Sequence, residues 1–239
     1  MIFSRSRTIL GLVCLLAAII AQPAKADSGE SWSGCYVGAN AGYGQADIEG
    51  TALAVTSPNP IPIILNDPIG SAMAKGGALG GQLGCDYQAA DWVLGAQLSL
   101  HAANLEGDHL YIGGSSPSNR VHYDINRFGT LTGRVGYLFQ TNTLPYLKAG
   151  AAWTRTNHKD ADSTVPVPYH GSTEITRKGW IIGIGVEHKI QQNLSIFVEY
   201  DYMDFGKEKT TINYTDGFVY DFSFKQDMNY MGLGMNYRF

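Results

Sequence analysis

After residue 26 the sequence lacks any apolar run long enough to cross a bilayer as a helix, which needs about 20 consecutive apolar residues. That absence argues against a helical membrane protein. It does not argue against a transmembrane β-barrel, in whose strands only every second residue faces lipid. Cysteine is also scarce, with three in 239 residues, and no His-x-x-x-His or Cys–His spacing indicates a metal site. We therefore expect no metal and no cofactor.

Positive charge is in short supply as well. The chain has 17 Lys and Arg against 21 Asp and Glu, and three of the basic residues lie in the first 26 positions, where no acid occurs. Beyond those positions the balance is 14 basic to 21 acidic residues, a net charge of −7. A chain this acidic is a poor candidate for binding nucleic acid.

The N-terminus has the three parts of a secretory signal peptide. Two arginines form a basic start, residues 9–20 form an apolar core, and residues 24–26 form an Ala-Lys-Ala cleavage site. An uncleaved membrane anchor is the alternative, but the apolar core is short for that role. We expect residues 1–26 to be removed on export and residues 27–239 to form one β-domain.

Alternation of apolar with small or polar residues recurs in eight segments, each long enough to span a bilayer as a tilted strand of about ten residues. The segments are residues 35–48, 73–88, 92–106, 122–139, 145–157, 174–189, 194–206 and 224–239. The last of them follows period two, with no stripe at the 3.6-residue period of a helix. The pattern predicts an all-β fold, a closed eight-stranded antiparallel transmembrane β-barrel.

The connections alternate between short and long. The short ones are residues 89–91, 140–144 and 190–193, and the long ones are residues 49–72, 107–121, 158–173 and 207–223. This alternation is typical of outer-membrane barrels, so we expect short periplasmic turns and four long extracellular loops that contact host or surface partners. Because proline blocks regular pairing, residues 51–68, with four prolines, are expected to form a mobile or surface-packed loop.

A soluble β-sandwich is the alternative fold, with one face of each sheet buried and the other in water. Here the polar faces are rich in glycine and nearly free of lysine, and glycines suit the inside of a narrow barrel. Aromatic residues also cluster near both ends of the apolar faces, as the two interfaces of a bilayer require. These are Trp92, Tyr137, Phe139, Tyr237 and Phe239 at one rim, and Tyr43, Trp153, Trp180 and Tyr202 at the other.

Residue parity along the strands places charges of both signs inside the barrel. The residues that we expect to form a lumen charge network are Arg134, Lys148, Glu187, Glu199, Asp201 and Gln97. The same face also carries Asn40, Gln82, Asp86 and Arg238. An eight-stranded barrel is just wide enough for side chains to fill it, and buried charges must be paired. The network is therefore interpreted as a salt-bridge plug, with a gated or narrow ion path as the alternative.

Other candidate residues are weaker. Ser99 and His101 share the inward face, but without an orienting acid they do not indicate a catalytic pair. Four histidines in or beside loops are candidates for binding haem at the surface, although solvated side chains are the simpler interpretation. They are His109, His122, His158 and His170. Cys35 and Cys85 share an outward face near the periplasmic ends of neighbouring strands, so the register decides between a disulfide and two free thiols.

Four motifs resemble the small OmpA-like porin family of outer-membrane proteins, the short surface-antigen barrels without a periplasmic domain. They are Trp32-Ser-Gly-Cys-Tyr-Val-Gly-Ala-Asn-Ala-Gly-Tyr43, Phe128-Gly-Thr-Leu-Thr-Gly-Arg-Val-Gly-Tyr137, Leu144-Pro-Tyr-Leu-Lys-Ala-Gly-Ala-Ala-Trp153, and the hairpin of residues 179–187 and 194–206. The resemblance covers residues 30–239. Cys35 departs from the family, which usually has an aromatic or aliphatic residue there.

The resemblance implies a place in the outer membrane, with lipid and lipopolysaccharide as neighbours. It also implies that the terminal Phe239 is the signal read by the barrel-assembly machinery. A structural, surface-exposed role in the cell envelope is the function it indicates, without catalytic residues. A narrow porin for ions or small solutes and a surface binder of a ligand such as haem are the alternatives, and a lipid-modifying enzyme is the weakest.

Overall fold

The computed structural model of the protein describes residues 31–56, 62–110, 120–139, 141–162, 169–213 and 219–239. Every regular element within these ranges is a β-strand. No helix there is long and apolar enough to pass through a membrane.

Eight antiparallel strands form a closed barrel, as the sequence pattern predicts. They are β1 (Gly34–Thr56), β2 (Pro62–Ala89), β3 (Trp92–Leu110), β4 (Arg120–Tyr137), β5 (Thr143–Asp162), β6 (Tyr169–Gln191), β7 (Leu194–Asn213) and β8 (Val219–Arg238). Each strand pairs with its neighbours in the chain, and β1 pairs with β8 to close the sheet. Closure leaves no unpaired edge, which a bilayer requires because its core offers no water to backbone groups.

The four long loops are much shorter than expected, because the strands continue past the predicted ends. Residues assigned to loops that lie in strands are 49–56, 62–72, 107–110, 120–121, 158–162, 169–173, 207–213 and 219–223. What remains of each loop lies outside the described residues. At the other rim, β4 ends at Tyr137 rather than at Phe139. The strands have 18 to 28 residues, so the wall extends well beyond the roughly ten residues per strand that cross a bilayer.

The proline-rich segment shows why the sequence pattern predicts longer loops than the structure has. Pro62 opens β2, where a missing N–H costs least, and Pro68 pairs with Thr51 beside a register shift between Gly50 and Thr51. A second shift between Ala52 and Ala54 follows in the same strand pair. Bulges of this kind let a strand continue through residues that cannot keep a regular ladder. The expectation of a loop over residues 51–68 is therefore wrong for residues 51–56 and 62–68, and residues 57–61 lie outside the described residues.

The outer wall carries an apolar band whose side chains point away from the lumen. At the rim of the short turns its aromatic residues are strongly exposed, with Trp92 at 54% and Tyr237 at 50%. At the opposite edge, Tyr43 is 56% and Trp180 49% exposed. Exposed aromatics at both edges of an aliphatic band match the two interfaces of a bilayer.

Candidate functional site in the barrel lumen

Four charged residues of the lumen lie along one row of register partners that runs around the barrel. Its inward positions, from β8 to β2, are Tyr230, Asp201, Gly183, Lys148, Arg134, Gly95 and Asp86. The two glycines make room for the long side chains beside them. A methyl group at Gly183 would overlap Asp201 and Lys148, and one at Gly95 would overlap Asp86. Alternating large and small residues is how a narrow barrel is filled.

Arg134 is the centre of the first ionic cluster. Its Nε donates to Asp86 Oδ1 at 2.8 Å, and a terminal guanidinium nitrogen donates to Glu187 Oε2 at 2.9 Å. A second cation, Arg238, donates to the other Asp86 oxygen at 2.7 Å. The guanidinium of Arg134 also lies 4.8 Å from the ring centroid of Tyr36. Arg134 thus contacts both oxygens of Asp86 through two of its nitrogens, a bidentate geometry that arginine provides and lysine does not.

Lys148 is the centre of a second cluster. Its Nζ lies 2.8 Å from Glu199 Oε2 and 2.9 Å from Asp201 Oδ2, and its side chain is 1% exposed. Tyr146 joins the two clusters, because its ring centroid is 5.1 Å from the Arg134 guanidinium while its hydroxyl donates to Glu199 at 3.1 Å. Charges, ring and hydroxyl thus form one connected layer across the lumen, which we call the charged layer.

The structure places all six residues of the predicted network inside the barrel, each nearly or fully buried. Gln97 has a different role from the others, since it forms no ion pair. It accepts a hydrogen bond from the Tyr36 hydroxyl at 2.9 Å and donates to Ser99 Oγ at 3.0 Å. Gln97 therefore extends the charged layer as a neutral hydrogen-bonding neighbour.

Four further residues belong to the charged layer. Asp86 and Arg238 are on the predicted inward face but outside the predicted network, and the sequence prediction does not include Tyr36 and Tyr146. The signal that reveals the tyrosines is the two-residue step of a strand, because Tyr146 precedes Lys148 by two positions. Which charges pair with one another depends on the register between strands, and the alternation pattern of a single strand carries no information about register.

The lumen is also filled on the far side of the charged layer from the short turns. Large apolar side chains on five strands meet there in what we call the apolar collar: Leu105, Ile125, Phe128, Ile181, Met203, Met228 and Tyr230. In β7, which runs away from the short turns, Met203 follows Asp201 on the inward face.

Trp32 closes the opposite mouth, beside the short turns. The side chain is fully buried against Val93 and Leu144. Its indole N–H donates to the carbonyl of Thr141 at 3.1 Å, and the Lys189 ammonium lies 4.7 Å from the ring centroid. Trp32 belongs to a family motif in the sequence, but the alternation pattern predicts no role for it inside the barrel.

Ser99 and His101 do not form a catalytic pair. The ring of His101 stacks on Phe128 with centroids 4.3 Å apart, and neither ring nitrogen has a hydrogen-bond partner among the described residues. Ser99 Oγ instead accepts the hydrogen bond from Gln97. A serine nucleophile needs a base within hydrogen-bond reach, and this arrangement lacks one.

The structure joins Cys35 to Cys85. The two residues are register partners in β1 and β2, with sulfur atoms 2.06 Å apart on the outward face near the short-turn rim. The side chains of the four candidate haem-binding histidines fall outside the described part of the structure; they are His109, His122, His158 and His170. Within the described part, no group of three metal-ligating side chains converges.

A closed barrel with an apolar outer band, two aromatic girdles and a filled polar interior defines the class of integral outer-membrane β-barrels. A sequence model of the family described as "Outer membrane protein beta-barrel domain" matches residues 12–239, and the chain belongs to that family. It is therefore an outer-membrane protein with a role at the surface of the cell envelope. In such barrels the short turns face the periplasm, so the extended wall faces outward from the cell.

Individual relatives agree with this assignment. The "31 kDa outer-membrane immunogenic protein" of Brucella melitensis is 25% identical over 213 residues, which cover 87% of this chain and 84% of the relative. The protein of that name from Brucella suis matches to the same extent. Among solved structures, the outer membrane protein OprG from Pseudomonas aeruginosa aligns with a TM-score of 0.61 and 14% identity, over 88% of this chain and 99% of OprG. The likeness to OprG concerns the fold alone.

Proposed function

We propose that the mature protein is a sealed, non-conducting and non-enzymatic barrel that anchors an extended wall at the cell surface. The observation that carries the proposal is the charged layer, in which Arg134 and Lys148 hold four buried carboxylates across the lumen. Opening a water path there would separate these ions. A charge that loses its partner in a dry site costs about 3–5 kcal/mol, so these ions hold one another in place while the lumen is filled.

Two further features support a sealed lumen. The apolar collar lies on the extracellular side of the charged layer, and the Trp32 side chain covers its periplasmic side. An ion crossing the barrel would have to pass all three levels. These three levels favour a plug over the alternative that the sequence leaves undecided, a narrow ion path.

Processing and assembly belong to the same proposal. Residues 1–26 would be removed as a secretory signal, and the chain would enter the barrel-assembly machinery through its last strand and Phe239. In the folded barrel Phe239 is 59% exposed on the outer wall, and its N–H donates to the carbonyl of Cys35 at 3.0 Å. Partners outside the cell would meet the wall extension and the connections beyond it.

Single-channel recording tests the proposal. The mature chain, refolded and checked by a heat-dependent gel shift, should give no current steps above the lipid baseline in a planar bilayer. Reproducible steps that change in Arg134→Gln or Glu199→Gln, but not in the exposed control Lys75→Gln, would identify a pore. That result would show the plug interpretation to be wrong.

A further inference from the structure

A groove of about 500 Å³ lies on the outer wall where β3, β4, β5 and β6 leave the apolar band. Leu100, Ala102 and Trp153 provide its apolar lining. Trp153 pairs in register with Gly129, and a methyl group at Gly129 would meet the indole ring at 2.5 Å. The tryptophan therefore lies flat over the glycine, at the level of the extracellular aromatic girdle, where indole rings favour the membrane interface.

Two cations line this groove, and a third lies beside its tryptophan. Arg127 and Arg155 are register partners and line it directly, and Lys178 is the register partner of Trp153. Arg155 follows Trp153 by two positions in β5, so the cations lie just beyond the apolar band. All three side chains are exposed. At this height along the barrel, the three cations are level with the headgroups of the outer leaflet.

The charges around the groove are arranged so that the positive side chains lie closest to the membrane. Glu106 and Asp124 are register partners one step further from the membrane, so the row nearest the lipid is the cationic one. The opposite wall carries an acidic row at a similar level: Asp47, Asp227 and Asp204 are register partners across β1, β8 and β7. An anionic headgroup is therefore repelled from one side of the barrel and attracted to the groove side.

We infer that the groove binds the phosphate of an acylated lipid of the outer leaflet, with the lipid's acyl chain lying along Leu100 and Trp153. Two adjacent guanidinium groups suit phosphate oxygens, which arginine binds through paired N–H donors. Basic pockets at the ends of membrane-spanning elements bind lipid headgroups for this reason. The site is on the outer wall, so it does not depend on whether the lumen conducts.

Lipid retention measured by native mass spectrometry tests this inference. The refolded mature barrel in detergent is titrated with bisphosphorylated lipid A, with dephosphorylated lipid A, and with lipid A in the presence of inorganic phosphate. The groove variant is R127Q/R155Q/K178Q. The matched control, K207Q/K209Q/K225Q, removes the same charge from β7 and β8 on the acidic side.

The wild-type barrel should retain one phosphorylated lipid, and the groove variant should bind it about tenfold or more weakly, since each cation near an anionic lipid contributes independently. The control variant should stay within about twofold of wild type by the usual tolerance of exposed sites. Dephosphorylated lipid A should bind weakly to all three proteins. Inorganic phosphate should displace little lipid, because it lacks the acyl chain.

Equal retention by the wild type and the groove variant would overturn the inference, and so would equal binding of phosphorylated and dephosphorylated lipid. Complete displacement by inorganic phosphate would also overturn it, since the site would then recognise free phosphate. If the triple variant lacks the heat-dependent gel shift of a folded barrel, R127Q and R155Q are tested singly, and each should still weaken binding.

Discussion

At the scale of single residues, Lys148 is unusual because its one ammonium group pairs with two buried carboxylates. Glu199 and Asp201 both lie within 2.9 Å of it, and neither side chain is more than 4% exposed. The row around the barrel supplies space for this contact through Gly183 on the next strand. An uncompensated carboxylate at this depth has no water to stabilise it.

Lys148→Met is therefore expected to lower the free energy of unfolding by about 3–5 kcal/mol, the usual effect of removing one partner from a buried ion pair. Urea unfolding in lipid vesicles, followed by tryptophan fluorescence, measures the change. Lys75→Met, at an exposed lysine on β2, is the control and should fall within about 0.5 kcal/mol of wild type.

The triple variant K148M/E199Q/D201N separates charge from packing. If the loss arises from unpaired carboxylates, neutralising them together should restore most of the stability. A Lys148→Met protein as stable as wild type would show that the cluster is not held by this ion pair.

At the scale of elements, β1 and β2 are the pair with both the longest strands and a covalent link. β2 has 28 residues, and Cys35 and Cys85 bridge a separation of 50 positions near the periplasmic rim. The periplasm is oxidising, so a bond formed there persists. A cross-link between consecutive strands limits the freedom of the unfolded hairpin.

Replacing both cysteines, as C35S/C85S, should lower the free energy of unfolding by up to about 4 kcal/mol, the chain-entropy value for a loop of this length. Urea unfolding without reductant measures the loss. Dithiothreitol should destabilise the wild type similarly and leave the variant unchanged. Wild-type protein whose denatured mobility on a gel does not respond to reductant would contradict the bond.

The elements also show where sequence reasoning stops. Period-two alternation located all eight strands, because side-chain direction depends only on neighbouring residues. It failed from Glu49 to Thr56 in β1 and from Pro62 in β2. There the wall extends beyond the membrane, so its outer face no longer has to be apolar and the alternation of polarity is weaker. Prolines in that stretch favoured a loop, and bulges in the β1–β2 pair accommodate Pro68.

At the scale of the whole molecule, the barrel is closed at three heights by residues of different chemistry. Trp32 covers the periplasmic mouth, the charged layer fills the middle, and the apolar collar lies beyond it. Each level uses side chains from several strands, so no single element seals the lumen. In the sealed barrel that we propose, redundancy of this kind would keep the lumen closed after the loss of one level.

Trp32→Ala removes the periplasmic cap and leaves the other two levels intact. Its conductance in a planar bilayer should therefore equal that of wild type, with no steps above baseline. The heat-dependent gel shift serves as the control for folding. Steps that arise from this single change would mean that Trp32 alone closes the barrel and that the charged layer is permeable.

The sequence by itself determined the eight strands, the two faces of each strand, the aromatic girdles and the charges that point inward, because all of these follow from local alternation. It did not determine which charges meet. Arg134 and Glu187 are 53 positions apart, and Arg238 and Asp86 are 152 apart. Their pairing depends on the register of every strand between them, so it is decided only when the sheet closes into a barrel.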